Sequence, residues 1–260
     1  MTEDTWPIKL FNRSVLKQRK YKEITKLLGD THRLHCLDIG ADNGVVSYLL
    51  RRQGGHWKSA DLDETAVAAI RGLVGEEVYK VSERGTPFED EEFDKIVIVD
   101  LLEHTHQDQE FVNDLYRIMK PGGELVINVP HIKNSLLRRI RLAIGQTDEK
   151  HGHVRPGYTL ESLQELLDGR FTVLEAKTYS KFFSECIDTF ITMAVDLVKG
   201  GGRESQKGIL VTGQDMRQHK KLFLMYSLLY PIVKAVSWLD NVLFWCHGYM
   251  LLVKTRITKA

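Results

Sequence analysis

The segment from residue 34 to residue 44, LHCLDIGADNG, constrains the fold of this chain more than any other part of the sequence. An apolar run ends in an acid and a glycine turn, and a second apolar run begins at Val45. Glycine lets the backbone turn sharply and approach a ligand, and the first turn of a helix presents free N–H groups and positive dipole charge. The segment therefore predicts a strand, a ligand-binding loop and a helix, an order that suits a nucleoside cofactor.

A second predicted strand, His56–Ala60, ends at Asp61, whose carboxylate is suited to accept hydrogen bonds from both ribose hydroxyls. The first loop departs from the G-x-G-x-x-G pattern of pyrophosphate sites. Gly40 and Gly44 are separated by three residues, and Asp42 stands where a middle glycine would admit the pyrophosphate. A carboxylate at that place repels an anion and attracts a cationic amino group. The pattern favours S-adenosylmethionine, with its ammonium and sulfonium charges, over NAD.

Predicted strands and helices alternate along most of the chain, which indicates a parallel sheet with helices on both faces. We predict a basic helix over Ser14–Leu28 and a second helix over Asp108–Met119, which ends at Lys120-Pro121-Gly122-Gly123. The predicted strands are Leu34–Ile39, His56–Ala60, Glu77–Val81, Lys95–Val99, Glu124–Val129, Phe171–Lys177 and Gly248–Ile257.

Three more blocks follow the first loop in order: TPFEDEEFD at residues 86–94, DLLEH at 100–104 and MKPGGEL at 119–125. Together the four blocks resemble the class I S-adenosylmethionine-dependent methyltransferases, and most of all the type 11 group that contains the ubiquinone-biosynthesis methyltransferases. The resemblance covers residues 34–177. It implies an α/β, Rossmann-like fold: a seven-stranded, mostly parallel sheet whose last strand is reversed, with helices on both faces and helical inserts after strand 5 and between strands 6 and 7.

The resemblance also implies S-adenosyl-L-methionine as the cofactor, bound beyond the carboxyl ends of the strands as in other open α/β sheets. In this family an acid after the third strand often contacts the adenine amino group, and Ser82 stands at that place here. The predicted cofactor-binding residues are Asp38, Gly40, Ala41, Asp42, Gly44, Asp61, Leu62, Ser82, Glu83 and Asp100.

Three histidines are candidate bases, because a phenol, catechol or carbon nucleophile must lose a proton when it is methylated. His104 follows a strand end, and His131 and His153 lie near the expected site, so all three are predicted catalytic residues, with His104 first. Each could instead be a structural histidine. No metal is predicted, although Asp100, Glu103 and His104 resemble the acid-x-x-Glu-His cluster that binds a divalent metal in some quinone O-methyltransferases.

Two predicted inserts, residues 131–158 and 182–246, interrupt a single methyltransferase domain over 1–260. In the first, residues 133–145 predict a short basic amphipathic helix, which suits either an anionic membrane surface or an ordinary solvated face. The resembling quinone O-methyltransferases carry a membrane-contacting insert at this place. The apolar residues of the helix are Leu136, Leu137, Ile140 and Ile144, and its basic residues are Lys133, Arg138, Arg139 and Arg141.

The second insert predicts two apolar helices, Phe182–Val198 and Lys221–Trp245, around a glycine-rich polar loop, Lys199–Gly213. A membrane-spanning helix needs about 20 apolar residues. Pro231 and Lys234 interrupt the later stretch too early for that length. The helices therefore either complete the core at the edge of the sheet or form a hydrophobic lid for a lipid tail.

Charge and cysteine content limit the partners and the compartment. Lys and Arg number 36 and Asp and Glu number 35, so no overall field attracts nucleic acid, and none is expected as a partner. The three cysteines are far apart without zinc-site spacing, and the first residues lack the pattern of a signal peptide. We expect a cytoplasmic protein with reduced thiols, either free or at the inner face of the membrane.

These features predict an S-adenosylmethionine-dependent methyltransferase that acts on a lipophilic or lipid-linked acceptor at the membrane surface, with peripheral membrane association. Two alternatives stay open. One is a soluble methyltransferase for a small molecule or sugar, and the other is a protein that binds the cofactor without catalysis. The sequence predicts neither the methyl acceptor nor the oligomeric state.

Overall fold

The computed structural model describes residues 5–133, 135–143, 145, 147, 152–198 and 220–259. A seven-stranded sheet forms its centre, in the order β3-β2-β1-β4-β5-β7-β6. The strands are β1 His35–Ile39, β2 His56–Asp61, β3 Val78–Lys80, β4 Phe93–Val99, β5 Met119–Pro130, β6 Phe171–Tyr179 and β7 Met250–Ile257. The helices are α1 Trp6–Phe11, α2 Val15–Leu28, α3 Val45–Arg51, α4 Glu64–Val74, α5 Asp108–Ile118, α6 Leu136–Ala143, α7 Leu160–Leu167, α8 Phe182–Val198 and α9 Lys220–Trp238.

The topology confirms the predicted fold class. Strands β1 to β5 pair in parallel, whereas β7 is antiparallel to both β5 and β6. Among the strands, the largest difference from prediction is at β5, which begins at Met119 rather than at Glu124. Met119 pairs with Phe93, before an irregularity in the register of β4 and β5. Met119, predicted to end the helix, therefore begins a strand instead, which only its distant pairing partner reveals.

The central strands explain why helices cover both faces of the sheet. In β4, Ile96 and Ile98 belong to one buried apolar cluster, whereas Val97 and Val99 belong to another. Successive side chains of a strand point to opposite faces, so a strand that is apolar at every position must be covered on both sides. Helix α2 supplies three buried residues to the second cluster: Ile24, Leu27 and Leu28.

Helix α2 confirms the predicted basic helix. Ser14 caps it by accepting a hydrogen bond from the backbone N–H of Lys17 (3.3 Å), and Gly29 ends it with a φ of 69°. The hydroxyl of Tyr21 donates to the carbonyl of Leu49 on α3 (3.1 Å). Buried apolar residues and this hydrogen bond fix the helix, so the positions of its polar side chains are fixed as well.

Both inserts leave the sheet at its carboxyl edge, because β5 and β6 run in the same direction as β1 to β4. The predicted helix of the first insert is present as α6, although Ile144 lies outside the described residues. In the second insert α8 has the predicted bounds. Helix α9 ends at Trp238, earlier than predicted, and contains Pro231 in its interior. The loop 199–213 lies outside the described residues.

Polar contacts join α6 to α8. The hydroxyl of Ser135 donates to Glu185 (3.1 Å), and Arg141 forms an ion pair with Asp188 (3.3 Å). Lys133 also pairs with Glu185 (2.7 Å). The basic residues of the first insert, predicted to face either an anionic membrane or solvent, are therefore partly directed toward α8, whose carboxylates pair with Lys133 and with Arg141 of α6.

The carboxylate of Asp240 joins the end of α9 to the start of α8. It is fully buried and accepts hydrogen bonds from the backbone N–H groups of Lys181 (2.8 Å) and Phe183 (2.9 Å). Arg19 of α2 forms an ion pair with the same carboxylate (3.2 Å). The second insert is thus attached to the N-terminal helix. No helix within the described ranges is both long enough and apolar enough to cross a membrane.

Candidate active site

The four predicted rim positions lie at one edge of the sheet. Strands β1 to β4 are adjacent and parallel, and Gly40, Asp61, Ser82 and Asp100 lie at or just beyond their carboxyl ends. In the register, Ile39 is level with Ala60 of β2 and with Ile98 of β4. The geometry therefore brings together residues that are far apart in sequence, at the edge where open α/β sheets bind ligands.

Two glycines of the first loop have no room for a side chain. A Cβ atom on Gly40 would lie 2.3 Å from the carbonyl oxygen of Val99, and one on Gly44 would lie 2.7 Å from the Cα of Ile70. Both have positive φ, at 87° and 77°. Ala41 between them is buried. The loop is packed directly on β4 and α4, which fixes the position of its backbone at the rim.

The carboxylate of Asp38 lies inside the protein beneath this loop. It is fully buried and accepts hydrogen bonds from the hydroxyls of Ser47 on α3 (2.5 Å) and Ser59 on β2 (2.8 Å). Burial raises the pKa of Asp38 to about 6, although the two hydroxyls oppose the rise. The side chain of this predicted cofactor residue therefore joins β1, β2 and α3 under the loop.

Asp61 is positioned at the end of β2 by a local turn. Its carboxylate accepts a hydrogen bond from the backbone N–H of Asp63 (3.1 Å), and Asp63 in turn caps α4 by accepting from Thr65 (2.6 Å). Leu62 packs against the main core. Asp61 is only 7% exposed, so its carboxylate is held in place at the predicted ribose position.

The two predicted cofactor residues that follow β3, Ser82 and Glu83, make different contacts. Ser82 is exposed and its hydroxyl donates to the carbonyl of Gly85 (3.1 Å) within a tight turn. The carboxylate of Glu83 accepts from the backbone N–H groups of His106 (3.1 Å) and Gln107 (3.3 Å), next to the first turn of α5. Glu83 therefore stabilises a helix start, as acids do at the positive end of a helix.

Asp100 has two neighbours that the sequence analysis did not identify. Its carboxylate accepts hydrogen bonds from the ammonium of Lys20 on α2 and from the amide of Asn128 on β5 (2.6 Å). The hydroxyl of Tyr179 donates to Asn128 (2.6 Å). Lys17, one helical turn from Lys20, interacts electrostatically with Asp42 and Asp100. The i, i+3 spacing indicates that the lysines share a face. The local sequence does not indicate which acidic residues this face of the helix contacts.

Two of the three candidate histidines lie side by side. The rings of His104 and His153 are 4.6 Å apart, edge to face, and Nε2 of His104 is 3.8 Å from Oε1 of the buried Glu103. Nδ1 of His104 is 2.8 Å from the carbonyl oxygen of Gly152. A carbonyl only accepts, so Nδ1 carries the hydrogen and Nε2 has a lone pair. His104 thus has the tautomer that a general base or a metal ligand requires.

Glu103, His104 and His153 also offer three ligand atoms within 4.8 Å of one another, a carboxylate and two imidazoles that could hold a divalent metal. This set differs from the Asp100, Glu103 and His104 cluster that the sequence resembles, because the carboxylate of Asp100 is bound to Lys20 and Asn128.

His131 has a different environment. Its Nδ1 is 2.9 Å from the carbonyl oxygen of Gly248, and its backbone N–H donates to Tyr249 (2.9 Å). Its ring lies 6.2 Å from that of His247, edge to face. These contacts attach the start of the first insert to the approach to β7, so His131 has a clear structural function.

Residues 37–127 match a family model whose description is a methyltransferase domain. The chain contains a methyltransferase domain. The match runs from β1 into β5 and includes all the strand ends that carry predicted cofactor residues. It confirms the predicted family and S-adenosylmethionine as the cofactor that the family implies.

Curated relatives match part of the chain. The chain is 30% identical over 105 residues to a demethylmenaquinone methyltransferase of Tropheryma whipplei. The aligned part is 39% of this chain and 44% of the relative. The chain is also 33% identical over 100 residues to a ubiquinone biosynthesis O-methyltransferase of Xylella fastidiosa, 35% of this chain and 40% of the relative. The chain thus matches less than half the length of these relatives.

Solved structures extend the likeness in fold to nearly the whole chain. An S-adenosylmethionine-dependent methyltransferase from Mesorhizobium loti has a TM-score of 0.54 at 12% identity, over 91% of this chain and 97% of the other. The cyclase SpnF has a TM-score of 0.59 at 15% identity, over 95% and 84%. Such low identities show the fold alone. The class I fold is confirmed, and the reaction must be argued from the site.

Proposed function

We propose that this protein transfers a methyl group from S-adenosylmethionine to a lipophilic or lipid-linked acceptor at a membrane surface. One observation carries the proposal: the two inserts rise from the same edge of the sheet as the cofactor residues and expose large apolar side chains there. The names of the relatives support a quinone-like acceptor, because menaquinone and ubiquinone precursors are lipophilic.

The rim residues fit the cofactor. We assign Gly40, Asp42 and Gly44, with Ala41, to the amino-acid end, and Asp61 to the ribose hydroxyls. Leu62, Ser82 and Glu83 are assigned to the adenine side, and Asp100 to the ammonium group; the carboxylate of Asp38 supports the loop from below. When bound, the cofactor supplies an activated methyl group on sulfonium.

The protein's own contribution to the reaction is positioning and proton removal. Nε2 of His104 is the proposed proton acceptor, because its other nitrogen is held by the carbonyl of Gly152. The buried carboxylate of Glu103, 3.8 Å away, would stabilise the imidazolium that forms. His153 packs on the His104 ring and restricts its orientation, and His131 holds the first insert.

The function and the base are tested together. Vesicles that contain a demethylated quinol are incubated with the protein and S-adenosylmethionine labelled on the methyl group, and the label is counted in the lipid extract. We expect transfer by the wild type and a loss of about a hundredfold or more in kcat for His104→Ala, with unchanged affinity for S-adenosylhomocysteine.

His106→Ala is the matched control. His106 is exposed and lies two residues after His104, and it contacts Glu83 through its backbone N–H, which the substitution keeps. Label in water-soluble products would favour the small-molecule alternative. Cofactor binding without transfer to any acceptor would favour the non-catalytic alternative. Equal turnover of His104→Ala and the wild type would contradict the assigned base.

An exposed aromatic surface follows α9. Trp238 and Trp245 are each 63% exposed and Phe244 is 81% exposed, and together with Val242 they form what we call the aromatic edge. Leu228 and Ile232 of α9 are also exposed. Single exposed apolar residues are ordinary, but several large ones in one segment mark an interaction surface.

The charges around this edge favour an anionic bilayer as its partner. The described carboxylates of the inserts are paired with cations: Glu185 with Lys133, Asp188 with Arg141 and Asp240 with Arg19. Exposed positive charge remains on Arg139 of α6 and Lys234 of α9. Tryptophan at an interface and basic residues near anionic headgroups both stabilise peripheral binding.

We expect Phe244→Ser combined with Trp245→Ser to weaken binding to phosphatidylglycerol vesicles about tenfold or more, because burial of one large apolar side chain is worth about 1.5–3 kcal/mol. Co-sedimentation of the protein with the vesicles at low and high salt measures this binding. Leu174→Ser is the matched control, since Leu174 is an exposed apolar residue of β6 outside the inserts.

Equal vesicle binding by the double variant and the wild type would contradict the bilayer proposal. So would a wild-type dimer that the double variant converts to a monomer in sedimentation, because the edge would then serve a second copy of the chain. Charge reversal is best restricted to Arg139. Arg141→Glu would also break the contact with Asp188 and thus remove one of the contacts between α6 and α8.

A further inference from the structure

The segment from residue 152 to residue 158 lies against the helical turn that ends at His104. At the start of the segment, the carbonyl oxygen of Gly152 is 2.8 Å from Nδ1 of His104. At its end, the backbone N–H of Tyr158 donates to the carbonyl of Pro130, the last residue of β5 (2.9 Å). The segment is therefore attached both to the candidate base and to the carboxyl edge of the sheet.

Arg155, inside this segment, contacts the residues on both sides of His104. Its backbone N–H donates to the carbonyl of Glu103 (3.4 Å), and its guanidinium donates to the carbonyl of Thr105 (3.0 Å). The guanidinium also forms an ion pair with Asp108, the first residue of α5. Arginine suits this arrangement, because its planar fork presents several N–H donors in fixed directions. One side chain thus joins the turn of His104 to the start of α5.

Asp108 is itself held by a second residue of the segment. Its carboxylate accepts a hydrogen bond from the hydroxyl of Tyr158 (2.9 Å), and Tyr158 is buried. The side chains of Arg155 and Asp108 are 30% and 15% exposed. Charge-assisted hydrogen bonds are among the stronger ones, and water competes less with a partly buried ion pair than with an exposed one. The pair therefore anchors the segment firmly.

The tautomer of His104 depends on the position of the Gly152 carbonyl. A neutral imidazole can carry its hydrogen on either nitrogen, and the hydrogen-bond partner decides which. Gly152 has no side chain, so its position depends on contacts of neighbouring residues. We propose that Arg155 is a positioning residue: it holds the Gly152 carbonyl against Nδ1 of His104 and thereby keeps the lone pair on Nε2. The inference rests on the proposed role of His104 as the base and is independent of the acceptor.

Nitrogen NMR of protein with isotope-labelled histidines tests the inference, because a ring nitrogen with a hydrogen and one with a lone pair differ strongly in chemical shift. The spectrum of His104→Ala identifies the signals of His104. At a pH above about 8, where imidazoles are neutral, we expect the hydrogen on Nδ1 in the wild type and a mixture of both tautomers in Arg155→Gln. We also expect kcat to fall about tenfold, less than for His104→Ala, with unchanged affinity for S-adenosylhomocysteine.

Three further variants separate this role from a general loss of structure. Arg155→Lys keeps the charge opposite Asp108 but lacks the fork that also reaches Thr105, so both effects should be intermediate. Asp108→Asn removes the charge from the other partner and should shift the tautomer as Arg155→Gln does. Arg117→Gln is the matched control, because Arg117 pairs with Asp114 (2.7 Å) at the opposite end of α5. It should leave the tautomer and kcat unchanged.

An unchanged tautomer in Arg155→Gln and Asp108→Asn would overturn the inference, whatever happens to kcat, because Arg155 would then act on stability alone. A wild type with the hydrogen on Nε2 of His104 would overturn it as well, together with the assigned base. Failure of the proposed function gives a different result. A wild type that transfers no methyl group, while Arg155→Gln still shifts the tautomer, would refute the function and leave the positioning of His104 established.

Discussion

Gly40→Ala is expected to destabilise the protein by about 3–5 kcal/mol and to abolish measurable binding of S-adenosylhomocysteine. The added Cβ would lie 2.3 Å from the carbonyl oxygen of Val99 and 3.1 Å from Cβ of Leu101. Backbone atoms of a central strand cannot move aside as the end of a flexible side chain can. The loop must therefore lift from β4. Urea unfolding measures the destabilisation, and calorimetry measures the binding.

Gly75→Ala is a closely matched control. Gly75 has a φ of 84°, against 87° for Gly40, but no atom lies within 4 Å of the position of its Cβ. This variant has the cost of a positive-φ backbone that favours glycine, about 1–3 kcal/mol, without the collision. The difference between the two variants isolates the steric effect. Similar losses of stability at both positions would show that the contact with Val99 is not decisive.

The second large effect is a pH dependence that arises at Asp38. Burial raises the pKa of Asp38 to about 6 in the folded protein, whereas the ordinary value is 3.8. Between these values the unfolded chain binds fewer protons than the folded one, so the contribution of Asp38 to stability is lost as the pH rises from 4 to above 6. The two pKa values differ by about 2, which corresponds to about 3 kcal/mol.

Urea unfolding of the wild type and of Asp38→Asn at several pH values from 4 to 7 measures this effect. The variant does not titrate at this position, so the wild type should lose stability relative to the variant as the pH rises. Asp30→Asn, at an exposed acid, should run nearly parallel to the wild type. A constant difference between the wild type and Asp38→Asn would rule out the raised pKa.

The strands were predictable because each is marked by a local run of apolar residues that is followed by a residue typical of a turn or a strand end. Buried runs such as Ile96–Val99 and the acids after them identified the strands and the common edge. The exception is the start of β5, where Met119 pairs with Phe93 of another strand. Local sequence contains no information on that partner.

The sequence predicted where most residues of the site lie, but only some of the contacts that they make. Spacing placed Asp61 and Asp100 at the rim, but not the lysines of α2, because the contact of Lys20 with Asp100 spans 80 residues. The same limit applies to Glu83, whose carboxylate supports the start of α5. Pairing of a rim acid with a distant cation is a property of the folded chain.

The neighbours Arg19 and Lys20 on α2 connect two parts of the protein. Arg19 pairs with the buried Asp240 of the second insert, and Lys20 pairs with Asp100 at the cofactor edge. One helix therefore contacts both the cofactor edge of the sheet and the second insert. Linkage is reciprocal: if cofactor loading tightens docking on the bilayer, docking must tighten the cofactor by the same factor. Protein on a membrane and protein in solution would then differ in how much cofactor they hold, at one and the same cofactor concentration.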